Sequence, residues 1–294
     1  MKPYLSIIIP TYNRAEKLEK TLEHLHAQSL SAESYEIIVV DDGSTDRTEE
    51  VLKKWSAKNP LVHTLHQKNA GQGVARNHGL KKAEGEVVLF IGDDIYATRD
   101  FLLNHVRFHQ DKPEENAACL GLTEWVKPTT PFMEWLTHGG PQFAYDRLTP
   151  NEEASFWFFY TSNLSIKTSL LKKESFDENF KGYGWEDIEL GYRLHKYADL
   201  KLIYCPAALA SHDHPMEEKD LERKMLSIGK TAKTFQKKHP ELQVIPQGLK
   251  KLLLGIVSSL PVIILLRILS PLSGKELYWF SLSKRYFLRG VNSL

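Results

Sequence analysis

The strongest constraint on this chain is the steady recurrence of short apolar runs near its start. Residues 5–9 (LSIII), 36–40 (EIIVV), 62–66 (VHTLH) and 86–91 (EVVLFI) read as strands. The stretches between them, 14–28, 46–57 and 73–83, read as helices. Strands spaced by roughly 25–30 residues, with helical spacers, predict βαβ units and a parallel sheet. A sheet of that kind is covered on both faces, which explains why the runs are continuous rather than alternating. The predicted class is α/β, with a mostly parallel sheet flanked by helices.

Ligands of open parallel sheets collect beyond the carboxyl ends of the strands. The residues following each run therefore carry the information: Pro10-Thr11-Tyr12-Asn13-Arg14, Asp41-Asp42-Gly43-Ser44, Asn69-Ala70-Gly71-Gln72-Gly73 and Gly92-Asp93-Asp94. Each alone is compatible with a turn, but together they predict one crevice. The second half is less regular. An aromatic stretch, 156–160, precedes Thr161-Ser162-Asn163, and GYGWEDIELGYRLHKYA (182–198) opens as a loop and continues as a helix. Residues 201–205 read as another strand, and 217–238 as a charged, solvated connecting helix.

The 294-residue composition, 42% hydrophobic and 26% charged, is that of a folded protein. A net charge of +1 argues against a dedicated nucleic-acid binder. Cys119 and Cys205 have no CxxC partner, so neither a disulfide framework nor a zinc knuckle is expected, in keeping with a reducing compartment. The first residues do not read as a signal peptide, because Pro10 closes a short apolar run.

Adjacent carboxylates at a strand end repel, so Asp93-Asp94 is either a solvated turn or a pair compensated by a cation. Mg²⁺ and Mn²⁺ take such carboxylates together with substrate phosphates, and Asp94 is the first candidate ligand. Asp46, with Glu49 three residues on, reads as a helix cap. Asp41 is better placed to accept from a ligand such as the imide of a base. Glu186-Asp187 at a helix start suits the helix dipole, and one of the two is a candidate general base. His212 and His214 share one side of an extended segment. They are either a polar loop or the source of an imidazole ligand, which would favour Mn²⁺ over Mg²⁺.

The segments SIIIPTYNR (6–14), VVDDGSTD (39–46), NAGQGVARNHGL (69–80), GDD (92–94) and GWEDIELGYRL (184–194) occur in this order. Together they resemble the family 2 inverting glycosyltransferases of the GT-A, Rossmann-like fold, over about residues 4–215. The resemblance implies a nucleotide-diphosphate sugar donor, with uridine as the base by family habit, and Mn²⁺ or Mg²⁺. It implies that Pro10, Tyr12 and Arg14 line the nucleotide pocket and that Asp41 meets the base. Asn69, Gly71 and Arg76 would lie near the nucleotide and phosphates. Asp94 matches the metal-binding acid of the Asp-X-Asp signature, His212 a metal-binding histidine of some members, and Asp187 the catalytic base supported by Glu186. Asn163 matches a segment beside the donor sugar and acceptor. Gly92 stands where the first acid of the signature is expected, so either His212 or Asp93 would make up for it. Two other readings are a sugar nucleotidyltransferase, which the glycine-free loop 10–14 disfavours, and a non-catalytic nucleotide-binding scaffold.

The tail has a different character. Residues 247–294 hold seven Lys/Arg and one acid, Glu276, and 252–266 are uncharged. Pro261 interrupts that run, which is short of the ~20 residues a spanning helix needs. A helix or hairpin in the membrane interface is expected, with Tyr278, Trp279, Phe280, Tyr286 and Phe287 among basic residues as anchors. The competing expectation is a helix pair packed on the catalytic domain or between two copies. The predicted organisation is a catalytic domain (1–215), a connecting helix (216–246) and membrane-associating or packing helices (247–294). The expected setting is the cytoplasmic side of a membrane, with a lipid-linked or cell-surface glycan as acceptor and a possible homo-oligomer.

Overall fold

The structure, a computed structural model, describes residues 2–293. The strands are β1 (Leu5–Thr11), β2 (Tyr35–Asp41), β3 (Val62–His66), β4 (Val87–Ile91), β5 (Ile95–Ala97), β6 (Ala117–Trp125), β7 (Glu153–Ala154), β8 (Asn163–Lys167) and β9 (Lys201–His212). The helices are α1 (Ala15–His26), α2 (Thr48–Lys58), α3 (Gln72–Lys82), α4 (Phe101–Asp111), α5 (Pro131–His138), α6 (Thr168–Lys173), α7 (Glu186–Ala198), α8 (Asp220–Lys238), α9 (Gly248–Val257), α10 (Leu260–Ser273) and α11 (Glu276–Asn292). The chain divides into two compact units. The first holds the segments up to Pro128, Tyr145–Glu178 and Glu186–His214; the second holds Thr129–Ala144, Asn179–Trp185 and the chain from Pro215 onward.

In the first unit the strands form one sheet in the order β3-β2-β1-β4-β8-β6-β9-β5, with β7 on β9. The strands expected to be parallel are so: β1 pairs in parallel with both β2 and β4, and β2 with β3. Beyond them the sheet is mixed, because β8 runs antiparallel to β4 and β6, and β5 antiparallel to β9. Every residue of β1, β2 and β4 is buried. Ile7, Ile37 and Leu89 pack with Leu18, Leu22 and Leu25 of α1 and Trp55 of α2. On the other face α3 rides close to the sheet: a methyl group at Gly79 would come within 2.7 Å of Ile8. α3 is rich in small buried residues there (Gly73, Ala75, Gly79), so close backbone approach replaces an apolar stripe.

β9 is longer than the expected strand because it shifts register against β6 between Gly121 and Leu122, leaving Pro206–Ala208 looped out of the ladder. Such irregularities disrupt a ladder unless other groups take up its polar atoms.

In the second unit, α8 is a packing helix rather than the solvated connector that its charge suggests. Leu221, Met225, Ala232 and Phe235 are buried, and α11 lies along it. The two helices meet at glycines: a methyl at Gly229 would fall 2.3 Å from Phe287 O, and one at Gly290 2.4 Å from Leu226 O. Tyr278 and Trp279, expected at a membrane surface, are buried instead. Tyr278 Oη and Trp279 Nε1 each donate to Glu218 at 2.9 Å, and the Trp279 ring packs 5.2 Å from Phe132. A buried indole or phenol needs such an acceptor, and the sequence pattern does not reveal where Glu218 lies.

Candidate active site

The site grows from the carboxyl ends of β1, β2 and β4. Thr11 and Asp41 are neighbours across the first pair of strands. Asn13 and the 44–45 turn lock the two loops together, since Ser44 Oγ accepts from Asn13 N at 2.8 Å and Asn13 Oδ1 from Thr45 N at 2.7 Å. Asn13 pays for this with a positive φ of 54°, tolerable for asparagine. Pro10 is buried within β1, whereas Tyr12 stands 47% exposed beyond it. Asp46 is structural, as expected, though its reach is wider than one cap. Its carboxylate accepts from Thr48 N at 3.0 Å and from Ala15 N at 3.1 Å, tying the starts of α2 and α1 together. Burial opposes its ionisation, but these hydrogen bonds outweigh it and lower the carboxyl pKa.

Asp41 and Asp42 divide their tasks. Asp41 accepts from Ser44 N at 2.9 Å and meets His66 Nδ1 at 3.3 Å. Asp42 organises the next loop: it accepts from Gln67 Nε2 at 2.8 Å and from the amides of Ala70 and Gly71, each at 2.9 Å. Asn69 and Gly71 are thus held at the start of α3, where Gly71 adopts φ 100°, a conformation that favours glycine. The role of Asp42 was not legible in the sequence.

At the end of β4, Asp93 and Asp94 are both buried. Asp93 faces inward to the protein's own groups: its carboxylate accepts from Thr11 Oγ1 at 2.8 Å and meets Arg14 Nη1 at 3.3 Å, and its carbonyl accepts from Thr21 Oγ1 at 2.8 Å. Burial and the neighbouring Asp94 charge push the Asp93 carboxyl up. Arg14 also contacts Asp94, and its Nη2 lies 3.1 Å from His214 Nδ1. Arg14 therefore compensates the acid pair here rather than pointing to open space. Asp94 Oδ2 lies 3.3 Å from His212 Nε2 and 3.2 Å from His214 Nδ1. Burial raises the Asp94 carboxyl, but the His212, His214 and Arg14 contacts prevail and hold it well below the ordinary range.

Ligand atoms of Asp94, His212 and His214 all lie within 4.8 Å of one another. One carboxylate oxygen with two imidazole nitrogens is a donor set that suits a divalent first-row metal such as Mn²⁺ better than Mg²⁺. The residues fit the expected metal, with His214 as a third donor beside the two expected. His214 also bears on the missing acid of the signature, for Gly92 leaves little room for one: a methyl there would come within 2.8 Å of Asp94 Oδ1. The Trp125 ring lies parallel to His212 at 5.0 Å and steadies the imidazole.

Glu186 and Asp187 open α7. Glu186 is buried and pairs with buried Arg76 of α3 at 3.3 Å, while Gln72 Oε1 accepts from the same guanidinium at 2.9 Å. Asn77 of α3 bonds both backbone groups of Phe176, at 2.9 and 3.0 Å. Arg76 is thus a strut between the two segments. Asp187 is half-buried and accepts from Ile188 N at 2.8 Å and from the amide of Thr161. Thr161 lies two residues before Asn163, which pairs with Ile91 at the end of β4. These contacts bring the start of α7 to the same strand ends as the acid pair. Burial and the Glu186 charge push the Asp187 carboxyl up to about 7. A carboxylate in that range is suited to take a proton near neutrality.

Asn163 departs from the expected role beside the donor. It is fully buried, and its amide donates to Leu122 O at 3.0 Å and Ala208 O at 2.9 Å, filling the register shift of β9. Its Oδ1 faces His105 Nε2 at 2.9 Å. Ser165 Oγ then lies 2.8 Å from His105 Nδ1 and 2.9 Å from His109 Nε2. The donors resolve in one direction: His109 Nε2 donates to Ser165, Ser165 to His105 Nδ1, and His105 Nε2 to Asn163. Burial lowers His105 to about 4 and His109 to about 3, so both are neutral. With no amide atom to spare, Asn163 is a lock of the sheet and not a ligand of the donor.

A model of the family described as glycosyl transferase family 2 matches residues 6–178. Validoxylamine A glucosyltransferase of Streptomyces hygroscopicus subsp. jinggangensis is 29% identical over 269 residues, covering 82% of this chain and 62% of the relative. The chain thus spans about three fifths of that relative's length. Among solved structures, a mannosyltransferase of Pyrobaculum calidifontis in complex with GDP-Man and Mn²⁺ superposes with a TM-score of 0.65 at 20% identity, covering 99% of this chain and 86% of the other. Residues 1–349 of TarS from S. aureus, in complex with UDP-GlcNAc, give 0.57 at 18% identity, covering 96% and 90%. At these identities the superpositions establish the fold, which is the GT-A fold. By the extent of the family match, the chain belongs to glycosyl transferase family 2.

Proposed function

We propose that this protein transfers a hexosyl or N-acetylhexosaminyl group from a nucleoside-diphosphate sugar, a uridine diphosphate sugar first among them, to a hydroxyl of a lipid-linked or cell-surface glycan, with inversion at C1. The observation that carries the reading is the grouping of Asp94, His212 and His214 at the strand ends where Asp187 is also anchored. The related glucosyltransferase and the UDP-GlcNAc and GDP-Man complexes of its structural neighbours support a nucleotide-sugar donor. The two-cysteine composition and the basic apolar tail support the cytoplasmic side of a membrane.

In this reading Tyr12 offers its exposed ring to the base and Asp41 accepts from the base N–H. The loop that Asp42 fixes presents Asn69 and Gly71 to the nucleotide, and Arg76 holds α3 against α7. Asp94, His212 and His214 hold the divalent metal, which when bound supplies charge neutralisation for the departing diphosphate. Arg14, beside the same acid pair, is the side-chain cation that would face the phosphates. Asp187 removes the proton of the acceptor hydroxyl as its oxygen forms the bond to C1. The C1–O bond to the diphosphate breaks on the opposite face, and its electron pair leaves with the nucleotide. General base catalysis of this kind contributes about 10²–10⁴-fold.

The test is transfer assayed by nucleoside diphosphate release and by product with UDP-glucose, UDP-GlcNAc and GDP-mannose, with and without Mn²⁺. Asp187→Asn should lose transfer by about 10²–10⁴-fold while calorimetric donor binding persists. Full activity in that variant, or pyrophosphate as the product, overturns the reading.

A further inference from the structure

The pair α9–α10 carries a run of exposed large apolar residues. Leu249, Leu252 and Ile256 of α9 lie at helical spacing on one face and are exposed, and no residue of α9 is buried. On α10, Ile264, Ile268 and Leu272 follow at intervals of one turn, with exposures of 55%, 68% and 90%. The opposite side of α10 is the one that packs, through Ile263 and Ser270. Arg285 of α11 donates to Ser258 O at 3.2 Å and fixes the joint between the helices. Single exposed leucines are ordinary, but a continuous exposed stripe marks a surface that something covers.

Charge identifies what covers it. Lys250, Lys251, Arg267 and Lys275 flank the stripe and are exposed, and no acidic residue occurs between Glu241 and Glu276. A second copy of the same face would bring like charges together with no carboxylate in the segment to pair them. An anionic lipid surface takes both the apolar stripe and the cations, whose stems lie along it with their heads in the headgroup layer. Single-helix length and the bend between the two helices favour lying over spanning. α9 and α10 are about 15 and 21 Å long at 1.5 Å per residue, against ~30 Å of hydrocarbon. No single helix among the described residues is long and apolar enough to cross; the two together are, by length and composition, but they are bent by 50° at the joint that Arg285 holds through Ser258 O.

We propose that α9–α10 is an in-plane membrane anchor, its apolar stripe sunk into the headgroup–acyl boundary of an anionic bilayer and its lysines and arginine bound to the headgroups. Tyr278 and Trp279 of α11 are not part of the anchor, since both are committed to Glu218. The inference deepens the membrane-side part of the proposed function and is independent of the transfer chemistry.

The test is co-sedimentation of the full chain with phosphatidylcholine vesicles and with vesicles containing phosphatidylglycerol, alongside light scattering without lipid. The protein should bind the anionic vesicles, more weakly in high salt. Ile264→Asp with Ile268→Asp should lower partitioning by about 10–100-fold with the melting temperature kept. Lys250→Gln with Lys251→Gln should cost about fivefold per lysine on anionic vesicles only. Transfer to a water-soluble acceptor should survive in both variants, so a failed transfer assay and a failed vesicle assay report on separate claims. Vesicle binding unaffected by these substitutions overturns the proposal. So does a lipid-free dimer that the isoleucine substitutions dissolve, which would make a second copy the occupant.

Discussion

Arg76 and Glu186, more than a hundred residues apart in sequence, form a buried ion pair at 3.3 Å that joins the helix after the loop fixed by Asp42 to the helix that opens on Asp187. Removing one partner of such a pair leaves an uncompensated buried charge. Glu186→Ala should therefore destabilise the first unit by about 3–5 kcal/mol, and removing both charges should recover part of the loss. Urea midpoints of the two single variants and the double variant measure this; an unchanged midpoint in Glu186→Ala rules out the strut.

Asp42 should be intolerant of even an isosteric change. Asparagine would turn an amino group toward the amides of Ala70 or Gly71, which now donate to the carboxylate at 2.9 Å. The cost of one mispaired buried group is about 1–3 kcal/mol. Because it falls on the loop carrying Asn69 and Gly71, nucleotide affinity should drop by tenfold or so. Calorimetry with UDP reads it, and wild-type affinity in Asp42→Asn would be inconsistent with the loop's role.

The raised Asp187 carboxyl sets a pH dependence. The base acts only when ionised, and burial with the Glu186 charge places its titration at about 7. The rate should climb with pH below that value and level above it. The same shift makes ionisation unfavourable in the folded state, so its contribution to stability is present below the unfolded carboxyl pKa and is lost as pH rises toward 7. A kcat/KM profile that stays flat across this range would remove Asp187 as the base.

Stripping the metal with a chelator should abolish transfer, and Mn²⁺ should restore it. Substituting Asp94, His212 or His214 by alanine should weaken Mn²⁺ binding by at least ~10–100-fold, the loss seen even for outer-shell partners. Spin-resonance titration of free Mn²⁺ separates this from catalysis. Undiminished binding in His214→Ala would return that residue to the loop.

The buried His105 and His109 predict acid sensitivity. Both fold neutral, with pKa values of about 4 and about 3 against an ordinary 6.5, so the unfolded chain binds more protons. Their neutral burial favours folding above pH 6.5 and is eroded as pH falls toward 4, by roughly 1.4 kcal/mol per pH unit for each histidine. A His105→Gln variant should show a shallower loss of melting temperature over that interval; an identical slope counts against the network.

What the sequence determined by itself was whatever local chemistry and continuous burial impose. Three of the four runs became β1, β2 and β4 because each is apolar and bounded by turn residues, and these are buried throughout; the more polar VHTLH became β3, paired beside β2. Asp41, Asp94 and Asp187 stood out because acids at strand ends and helix starts are visible in one dimension. Tertiary structure decided which polar groups serve the protein itself. Asn163 resembles a donor-site residue in sequence, yet it fills a register shift, and Asp42, given no role by the sequence, holds a loop. His214 gains meaning only when β9 is laid beside β5, bringing it to Asp94. Tyr278 and Trp279 read as membrane anchors until Glu218, about sixty residues earlier, accepts a hydrogen bond from each. In each case the partner is remote in sequence, and a hydrogen bond between remote residues has no local signature. The fold alone determines whether a polar side chain is spent inside or left for a ligand.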